Sequence, residues 1–366
     1  MKDKKVKLLL VTPYFPPHSG GLENYAFNIA QGLMQTHKYE VFVVTSNSND
    51  KRQIIEEYCG IKVYRLPVML RFANTPINPL WYLAIRKIIR AEKPDIINSH
   101  QPVPFIGDLT ASLTGNIPFV LTYHSGAMRK NKLLPDIIIF LYETFILPHT
   151  AKKATKIICV SNFVRDSILK NYASKSTIIH PGVDVSLFKP DSLIEKENKL
   201  ILFICHSKSM HKIKGLYYLL EALKLLPEVK LHIIGEKGDF TDKRFISVGI
   251  KRGKNLVEEM QRASVVVLPS IAIESFGMVL IEALACQTPV VGTKIGGIPE
   301  VIRDGIDGFL VPAQDSNALA LAISKIMVDK ELATRMGCSG AARVRENFTW
   351  DTRVDLTKEV FESCLK

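Results

Sequence analysis

Two glutamates in the C-terminal half are spaced so that both could contact one ligand. Glu274 precedes a segment of helical period that starts near Gly277, and Glu282 follows Glu274 by eight residues, or about 12 Å of helix. A helix start offers free N–H groups and a positive dipole end, so a diphosphate could rest on Gly277, Met278 and Val279. Its sugar would then lie towards Glu274 and its ribose diol towards Glu282. The spacing therefore predicts a nucleotide-sugar site.

Each glutamate also has a purely structural explanation. Glu274 would favour the helix dipole, and Glu282 would be an exposed helical residue. This alternative treats the two acids separately. It does not explain the glycine at the helix start, the apolar residues between the acids or the Gly-rich loop 292–300 that follows.

A pair of glycines near the N-terminus could bind a second part of the same ligand. Gly20 and Gly21 lie between the first apolar run and the first helical stripe. Glycines let the backbone approach a ligand, and the helix start behind them offers N–H groups to a phosphate. A tight strand-to-helix turn would use glycine as well. The pair lacks the G-x-G-x-x-G spacing of dinucleotide enzymes, which argues against an oxidoreductase.

Short apolar runs alternate with segments of helical period along the whole chain. Such a repeat of strand and helix predicts parallel sheets with helices on both faces, and therefore an α/β fold class. Ligands of such sheets bind beyond the carboxyl ends of the strands. The runs that we interpret as strands are 7–12, 40–45, 62–66, 95–98, 119–123, 156–160, 176–180, 200–205, 230–235, 264–268, 289–292 and 308–311.

Length and composition indicate two globular domains. The 366 residues suggest about two domains, and the polar segment 191–199 reads as a linker between them. We therefore expect domains at 1–190 and 191–349. No apolar run approaches the ~20 residues of a membrane-spanning helix, and the N-terminus lacks a signal-peptide pattern. The six cysteines lack the paired spacing of zinc or redox sites, so we expect reduced thiols in a cytoplasmic protein.

Positive charge is concentrated in the N-terminal half. Residues 1–190 hold 24 Lys and Arg against 13 Asp and Glu, whereas residues 191–366 hold 24 against 23. The asymmetry suggests nucleic acid, anionic lipid or a phosphorylated substrate as partner, although a solubilising surface would look the same. The basic clusters are Arg86, Lys87, Arg90 and Lys93, and Arg129, Lys130, Lys132, Lys152, Lys153 and Lys156. The second brackets the apolar stretch 133–147, which either lies on a membrane surface or is a buried helix.

The order of motifs resembles one enzyme family. ESFGMVLIEALA at 274–285 is followed by PVVGTKIGGIPEVI at 289–302 and DGIDGFLVP at 304–312. This run resembles the C-terminal signature of the family 4 retaining glycosyltransferases. Further resemblances are P-x-x-G-G-x-E at 17–23, T-Y-H at 122–124, V-S-N-F at 160–163, G-V-D at 182–184 and F-T-W at 348–350. The resemblance implies the GT-B fold: two Rossmann-like domains that face a central cleft, with a last helix, about 350–366, that crosses back to the first domain.

The resemblance also assigns roles to individual residues. Glu274 would contact hydroxyls of the donor sugar, Glu282 would contact the ribose, and His124 would touch sugar or phosphate in the active site. The backbone of Ser275, Phe276, Gly277, Met278 and Val279 would hold the diphosphate, which Gly20 and Gly21 would also approach. Acceptor recognition would lie nearby, at Glu23, Asn24 and His124.

One position departs from the family pattern. The family usually has an Arg after the first strand of the second domain and a Lys further on, and both neutralise the leaving diphosphate. In this chain His206 stands where the Arg is expected, while Lys214 matches the Lys. We expect Lys214 to act on the leaving group, and His206 or Lys208 to supply the second positive charge.

The resemblance implies transfer of a sugar from a UDP- or GDP-type donor with retention of anomeric configuration. The acceptor would attack the face that the diphosphate leaves, so that no side chain needs to be the nucleophile. The chain has no Asp-x-Asp pair, and we expect no metal ion or other cofactor.

The basic N-terminal half favours a lipid-linked or membrane-borne acceptor, in glycan or glycolipid synthesis of the cell envelope. It also favours peripheral contact with the inner face of an anionic membrane. The alternative is a soluble transferase that acts on a small molecule or a polysaccharide. A nucleic-acid partner is not expected, because no helix-turn-helix, RNP-like or zinc pattern is present.

Overall fold

The chain folds into two α/β units. The computed structural model describes residues 4–18, 20–47, 52–72, 75–126, 128, 133–205, 207–238 and 240–366. The units are Met1–Pro181 together with Trp350–Lys366, and Gly182–Thr349. The sequence analysis placed the boundary at 190. In the structure the backbone N–H of Val183 donates to the carbonyl of Phe348 at 2.7 Å, and this bond ties the segment after Pro181 to the second unit.

A largely parallel sheet forms the centre of the first unit. The strands of this unit are β1 (Val6–Val11), β2 (Tyr39–Asn47), β3 (Ile54–Tyr58), β4 (Ile61–Pro67), β5 (Leu70–Phe72), β6 (Thr75–Ile77), β7 (Ile96–Gln101), β8 (Phe119–Tyr123), β9 (Lys156–Cys159) and β10 (Ser176–Ile178). Its helices are α1 (Gly21–Gln35), α2 (Trp81–Glu92), α3 (Ile106–Leu113), α4 (Leu133–Leu141) and α5 (Leu147–Lys153), and a π-helical turn, Tyr142–Ile146, joins the last two. Eight strands lie in the order β10-β9-β8-β7-β1-β2-β4-β3, and only β3 runs antiparallel to its neighbour.

Hydrophobic periodicity explains why these elements form. β1 is an apolar run in which Leu8, Leu9 and Leu10 are fully buried, as expected of a strand covered by helices on both faces. α1 instead buries one stripe, which includes Ala26 and Ile29. The α/β class predicted from the sequence is therefore confirmed in this unit.

The second unit has a parallel sheet of its own. Its strands are β11 (Leu200–Ile204), β12 (Lys230–Ile234), β13 (Phe245–Gly249), β14 (Val265–Leu268), β15 (Val290–Thr293) and β16 (Gly308–Val311). Its helices are α6 (Leu216–Lys224), α7 (Lys254–Arg262), α8 (Met278–Ala285), α9 (Ile298–Val301), α10 (Ser316–Val328) and α11 (Lys330–Asn347). The strands lie in the order β13-β12-β11-β14-β15-β16, and all neighbours are parallel. Both units are thus Rossmann-like, as the family resemblance implies.

Four of these strands have no counterpart among the runs predicted from the sequence. β3 pairs antiparallel with β4 at one edge of the first sheet, and β5 and β6 form a separate two-stranded hairpin. β13 is an edge strand of the second sheet. All four strands are short and at least partly exposed, so they lack the continuous apolar run by which a buried strand is recognised.

The last helix belongs to the first unit. α12 (Trp350–Leu365) packs against α1. Its Val360 and Phe361 are buried in the apolar core of the first unit, where the Phe361 ring lies 6.5 Å from the ring of Tyr39. The expectation that the C-terminal helix returns to the first domain is confirmed.

Candidate functional site

A lysine, a glutamate and a serine converge at the carboxyl ends of two strands in the second unit. Glu274 Oε1 accepts from Lys214 Nζ at 2.7 Å and from Ser270 Oγ at 2.5 Å. Lys214 comes from the loop after β11, whereas Ser270 and Glu274 come from the loop after β14. The side chains of Lys214 and Glu274 are 25% and 18% exposed. The structure therefore brings together two residues that the sequence analysis placed in one site, and a ligand can still reach them.

The sequence analysis gave Ser270 no role. Its side chain is fully buried and its hydroxyl points at the Glu274 carboxylate. The sequence does indicate Ser270 by its position, since it stands two residues after the apolar strand β14 and four residues before Glu274. A buried hydroxyl at that point must find a partner inside the loop.

A glycine lets the neighbouring loop approach the Glu274 backbone. Gly296 has a φ of +58°, and a Cβ at this position would lie 2.0 Å from the carbonyl oxygen of Glu274. The same carbonyl accepts from the Gly297 N–H at 2.9 Å. A larger residue at 296 would force the two backbones apart. This explains the pair of glycines between β15 and α9.

The start of α8 follows directly after this cluster. Gly277 precedes the helix with a φ of +108°, and as a glycine it has no side chain to cap the first turn. Ser275, Met278 and Val279 are half-buried. Phe276 is 1% exposed as a whole residue, and its ring lies 5.8 Å from the ring of Phe348 in the core of the second unit. The arrangement supplies backbone N–H groups and the positive end of a helix dipole, which suit a phosphate.

Glu282 lies on α8 in surroundings that disfavour its charge. The residue is partly exposed, but the protein around its carboxyl excludes water and raises its pKa to about 8. No hydrogen bond or ion pair reaches this carboxyl from any residue that the structure describes. A carboxyl that keeps its proton near neutral pH can both donate to and accept from a hydroxyl. Its surroundings therefore differ from those of an exposed helical residue.

The two candidates for a second positive charge lie in the loop after β11. Lys208 is exposed, and its backbone N–H donates to Glu236 Oε2 at 2.8 Å. Glu236 follows β12, the neighbour of β11 in the sheet. His206 lies outside the described residues. The Glu236 carboxylate thus already accepts from one backbone N–H group of this loop.

In the first unit, the predicted glycine turn stands at the start of α1. Gly20 is extended, and a Cβ at this position would lie 2.3 Å from Glu23 Oε2. The Glu23 side chain is buried, which raises the pKa of its carboxyl. Gly21 and Asn24 are exposed, and no described atom lies within 4 Å of where a Gly21 Cβ would be. The turn therefore holds Gly20 against Glu23 and leaves Gly21 and Asn24 accessible.

His124 follows β8 and is paired with a second histidine. Its Nε2 lies 2.9 Å from Nδ1 of His100, which is fully buried on β7. Burial lowers the pKa of His124 to about 3, so the imidazole is neutral at physiological pH. The Tyr25 ring packs edge-on against His124 with 4.8 Å between the centroids. The sequence analysis did not single out His100, although the strand that carries it ends in four polar residues, Asn98, Ser99, His100 and Gln101.

The first unit also exposes apolar side chains together with basic ones. No helix within the described ranges is long and apolar enough to cross a bilayer. On α4 and the π-helical turn, the exposed apolar residues are Ile137, Ile138, Phe140, Leu141, Phe145 and Ile146, between 42% and 68% exposed. On the hairpin and the start of α2 they are Met69, Leu70, Phe72, Leu80 and Leu83, between 41% and 65%. These two groups are here called the α4 patch and the α2 patch. The alternative prediction, a buried helix at 133–147, is therefore wrong where the α4 patch lies, because these apolar side chains are exposed.

The basic clusters of the sequence analysis are only partly described. Arg86, Lys87, Arg90 and Lys93 of α2 are exposed, and so are Lys152 and Lys153 at the end of α5, whereas Lys156 is half-buried. Arg129, Lys130 and Lys132 lie outside the described residues. Cationic side chains therefore accompany both apolar patches along the chain.

Two family models match consecutive parts of the chain. The model described as Glycosyltransferase Family 4 matches residues 19–187, and the model described as Glycosyl transferases group 1 matches residues 185–343. The first match falls on the first unit and the second match on the second unit. Together they contain every residue that the sequence analysis assigned to the site.

Curated relatives match over nearly the full length. An uncharacterized glycosyltransferase of Methanocaldococcus jannaschii is 26% identical over 98% of this chain and 98% of its own. The phosphatidyl-myo-inositol mannosyltransferase of Mycolicibacterium smegmatis is 25% identical over 98% of this chain and 94% of its own. The gpi3 subunit of the phosphatidylinositol N-acetylglucosaminyltransferase of Schizosaccharomyces pombe is 24% identical over 97% and 80%.

Solved structures show the same fold. Sucrose-phosphate synthase from Thermosynechococcus elongatus has a TM-score of 0.79, with 21% identity over 98% of this chain and 99% of its own. The Anabaena protein HepE in complex with UDP-glucose has a TM-score of 0.75, with 19% identity over 98% and 99%. Two Rossmann-like units, each matched by its own family model, show that this chain belongs to the family 4 glycosyltransferases (glycosyl transferases group 1) with the GT-B fold.

Proposed function

We propose that this glycosyltransferase is a retaining hexosyltransferase that uses a UDP- or GDP-type sugar donor. The observation that carries the proposal is the Lys214–Glu274 pair beside the uncapped start of α8. A cation and free backbone N–H groups suit a diphosphate, and a carboxylate suits sugar hydroxyls. The complex of Anabaena HepE with UDP-glucose supports this class of donor.

In the proposed reaction, the second unit stabilises the departing nucleoside diphosphate. Negative charge develops on the diphosphate as the glycosidic bond breaks, and Lys214 and the α8 start face that charge with positive groups. His206 or Lys208 would add a second cation. Glu274 would hold the donor sugar by its hydroxyls and Glu282 would bind the ribose diol.

The remaining roles fall to the first unit. Gly20 and Gly21 would approach the donor phosphate, while Glu23, Asn24 and His124 would line the acceptor. The acceptor would attack the face that the diphosphate leaves, and the diphosphate would take its proton. This route gives retention without a protein nucleophile, so Glu274 binds and orients the sugar rather than attacking it.

We propose that this transfer needs no metal ion. Lys214 and the N–H groups at the α8 start would supply the positive charge that a metal supplies to the diphosphate in other enzymes. Within the described ranges no cluster of three His, Cys, Asp or Glu side chains suits a metal. Activity that persists in a chelator would support this part of the proposal.

Thermal unfolding with nucleotides tests the donor site. UDP, GDP, ADP and their common sugars are added first without metal and then with magnesium. A ligand at 100 times its dissociation constant stabilises the folded state by about 2.7 kcal/mol, which is a clear shift in melting temperature. Lys214→Met should remove the shift, whereas Lys224→Met should keep it, because Lys224 pairs with Glu221 on the surface of α6. Absence of a shift with every nucleotide would contradict the proposal.

We also propose that the acceptor is lipid-linked and that the first unit lies on an anionic membrane, on its cytoplasmic face. The α4 and α2 patches offer apolar side chains next to cationic ones, as interfacial binding requires. Two of the curated relatives are named for phosphatidylinositol substrates, which supports an acceptor of this class. The enzyme would then act in glycan or glycolipid synthesis.

Sedimentation with vesicles tests the membrane contact. Phe145→Ser combined with Ile146→Ser should weaken binding to vesicles that contain anionic lipid by at least tenfold, since each side chain contributes about 1.5–3 kcal/mol when buried. Leu193→Ser is the control, because Leu193 is 89% exposed in the second unit. Equal binding of all variants would exclude the α4 patch as the contact, and absence of binding by the unmodified protein would favour the alternative, a soluble small-molecule or polysaccharide acceptor.

A further inference from the structure

The imidazoles of His100 and His124 form one hydrogen-bonded pair. They lie at the ends of the neighbouring parallel strands β7 and β8, and His100 is paired in register with Thr122, two residues before His124. The ring planes are within 15° of parallel, and His100 Nδ1 lies 2.9 Å from His124 Nε2. A contact of this length between two nitrogens requires a proton on one of them.

Both rings are neutral. Burial lowers the pKa of each imidazole, to about 3 for His124 and well below the usual range for His100. Two arrangements are therefore available. In the first, His100 carries its proton on Nδ1 and donates it, so that His124 carries its own proton on Nδ1. In the second, His124 donates from Nε2, and His100 carries its proton on its own Nε2.

The other nitrogen of His100 distinguishes these arrangements. His100 Nε2 is buried and has no hydrogen-bond partner among the described residues. In the second arrangement it would be an N–H group without an acceptor, and buried N–H groups without partners are rare in folded proteins. In the first arrangement it is only a lone pair. The first arrangement therefore costs less free energy, because it leaves a lone pair rather than an N–H group without a partner.

We propose that His100 is a positioning residue that fixes His124 in the tautomer with hydrogen on Nδ1. His124 then presents a neutral N–H donor that keeps its orientation because its other nitrogen is occupied. Such a group can donate to a sugar hydroxyl or to a diphosphate oxygen, and it cannot serve as a base from Nδ1. The tautomer assignment stands independently of the substrate, whereas the benefit to transfer rests on the function proposed above.

Nitrogen NMR of the full-length protein, labelled with ¹⁵N histidine, tests the tautomer directly. His124→Gln identifies the His124 signals among those of the nine histidines. We expect the unmodified protein to show His124 with protonated Nδ1 and unprotonated Nε2 at pH 7. A protonated Nε2 on His124 would overturn the proposal, whatever the enzyme's activity.

Two substitutions test the role of His100. His100→Asp places a carboxylate oxygen, which can only accept, close to the position of Nδ1, so His124 should shift towards hydrogen on Nε2. His100→Asn retains an amide N–H close to the same position and should preserve the original tautomer. The same tautomer in His100→Asp as in the unmodified protein would overturn the proposal. If His100→Asp does not fold, a switched tautomer in His100→Asn would overturn it.

Steady-state kinetics provide the functional measurement. We expect His100→Asp to lower kcat/KM about tenfold, equivalent to one lost hydrogen bond in the transition state, and His100→Asn to keep most of the activity. His232→Phe is the control, because His232 is a buried histidine of the second unit that pairs with Glu259 at 2.9 Å. If no nucleotide binds to the unmodified protein, the proposed function fails while the NMR result still stands. If the tautomer changes but kcat/KM does not, the positioning role is overturned.

Discussion

Replacing Gly296 by alanine should displace Glu274 without removing any polar group. A Cβ at 296 would lie 2.0 Å from the Glu274 carbonyl oxygen, whereas real Cβ atoms essentially never approach closer than 3.0 Å. The two backbones must therefore separate by at least about 1 Å, and a misplacement of this size in an active site can cost about 100-fold in rate. The positive φ adds roughly 1–2 kcal/mol of strain.

Substitutions at two further glycines distinguish the effect of backbone strain from the effect of forcing the two loops apart. Gly305 has a φ of +78° with nothing within 4 Å of its Cβ position, so Gly305→Ala should lower stability by roughly 1–2 kcal/mol and leave activity unchanged. Gly297 has a φ of −85°, but its Cβ would lie 2.2 Å from the Ser275 carbonyl oxygen. Gly297→Ala should therefore displace the loop before α8 without adding φ strain.

The assay follows release of sugar from the donor identified by thermal unfolding, alongside the melting temperature of each variant. We expect Gly296→Ala and Gly297→Ala to lose activity, and Gly305→Ala to lose only stability. The reasoning is refuted if Gly296→Ala remains as active as Gly305→Ala, because the close approach of the two loops would then not determine where Glu274 lies.

Three substitutions of charged residues test other parts of the site. Lys214→Met should lower kcat by about 100- to 1,000-fold, as loss of one group that stabilises transition-state charge does, measured as donor turnover. The folded state keeps the Glu282 proton up to about pH 8, whereas an unfolded chain releases it near pH 4.5, so wild-type stability should fall as pH rises through that window. Glu282→Gln should flatten this fall in a series of denaturant titrations, and an unchanged slope would contradict the assigned burial. The Glu236→Gln variant should bind nucleoside diphosphate several-fold more tightly in calorimetry, because the substitution removes a carboxylate that contacts the Lys208 loop. Glu228→Gln is the control and should not bind more tightly, because Glu228 pairs with Lys199 at 2.6 Å.

The sequence predicts the fold class because buried strands and one-sided helices have distinct periodicities. The apolar runs of β1 and β11 need no knowledge of their neighbours to be recognised. β3 and β13 escape this reasoning, because edge strands alternate or mix polar and apolar residues according to contacts made elsewhere. The α4 patch shows the same limit, since a run of apolar residues does not reveal which side faces water.

The candidate site was recognised through spacing and family resemblance rather than through contacts. Lys214 and Glu274 are separated by 60 positions, so their 2.7 Å contact depends on the order of β11 and β14 in the sheet. Ser270 and His100 were missed for a related reason. Each is a common polar residue whose importance appears only when its burial and its partner are known.

The position of α12 has a consequence for how the protein is made. The second unit is one continuous stretch, Gly182–Thr349, and can complete its fold as soon as that stretch has left the ribosome. The first unit must wait for Trp350–Lys366, although its first 181 residues are synthesised earliest. Until then, the surface of α1 that α12 covers is open to solvent and to chaperones. A released chain that ends at Thr349 should therefore carry a finished second unit and an unfinished first one.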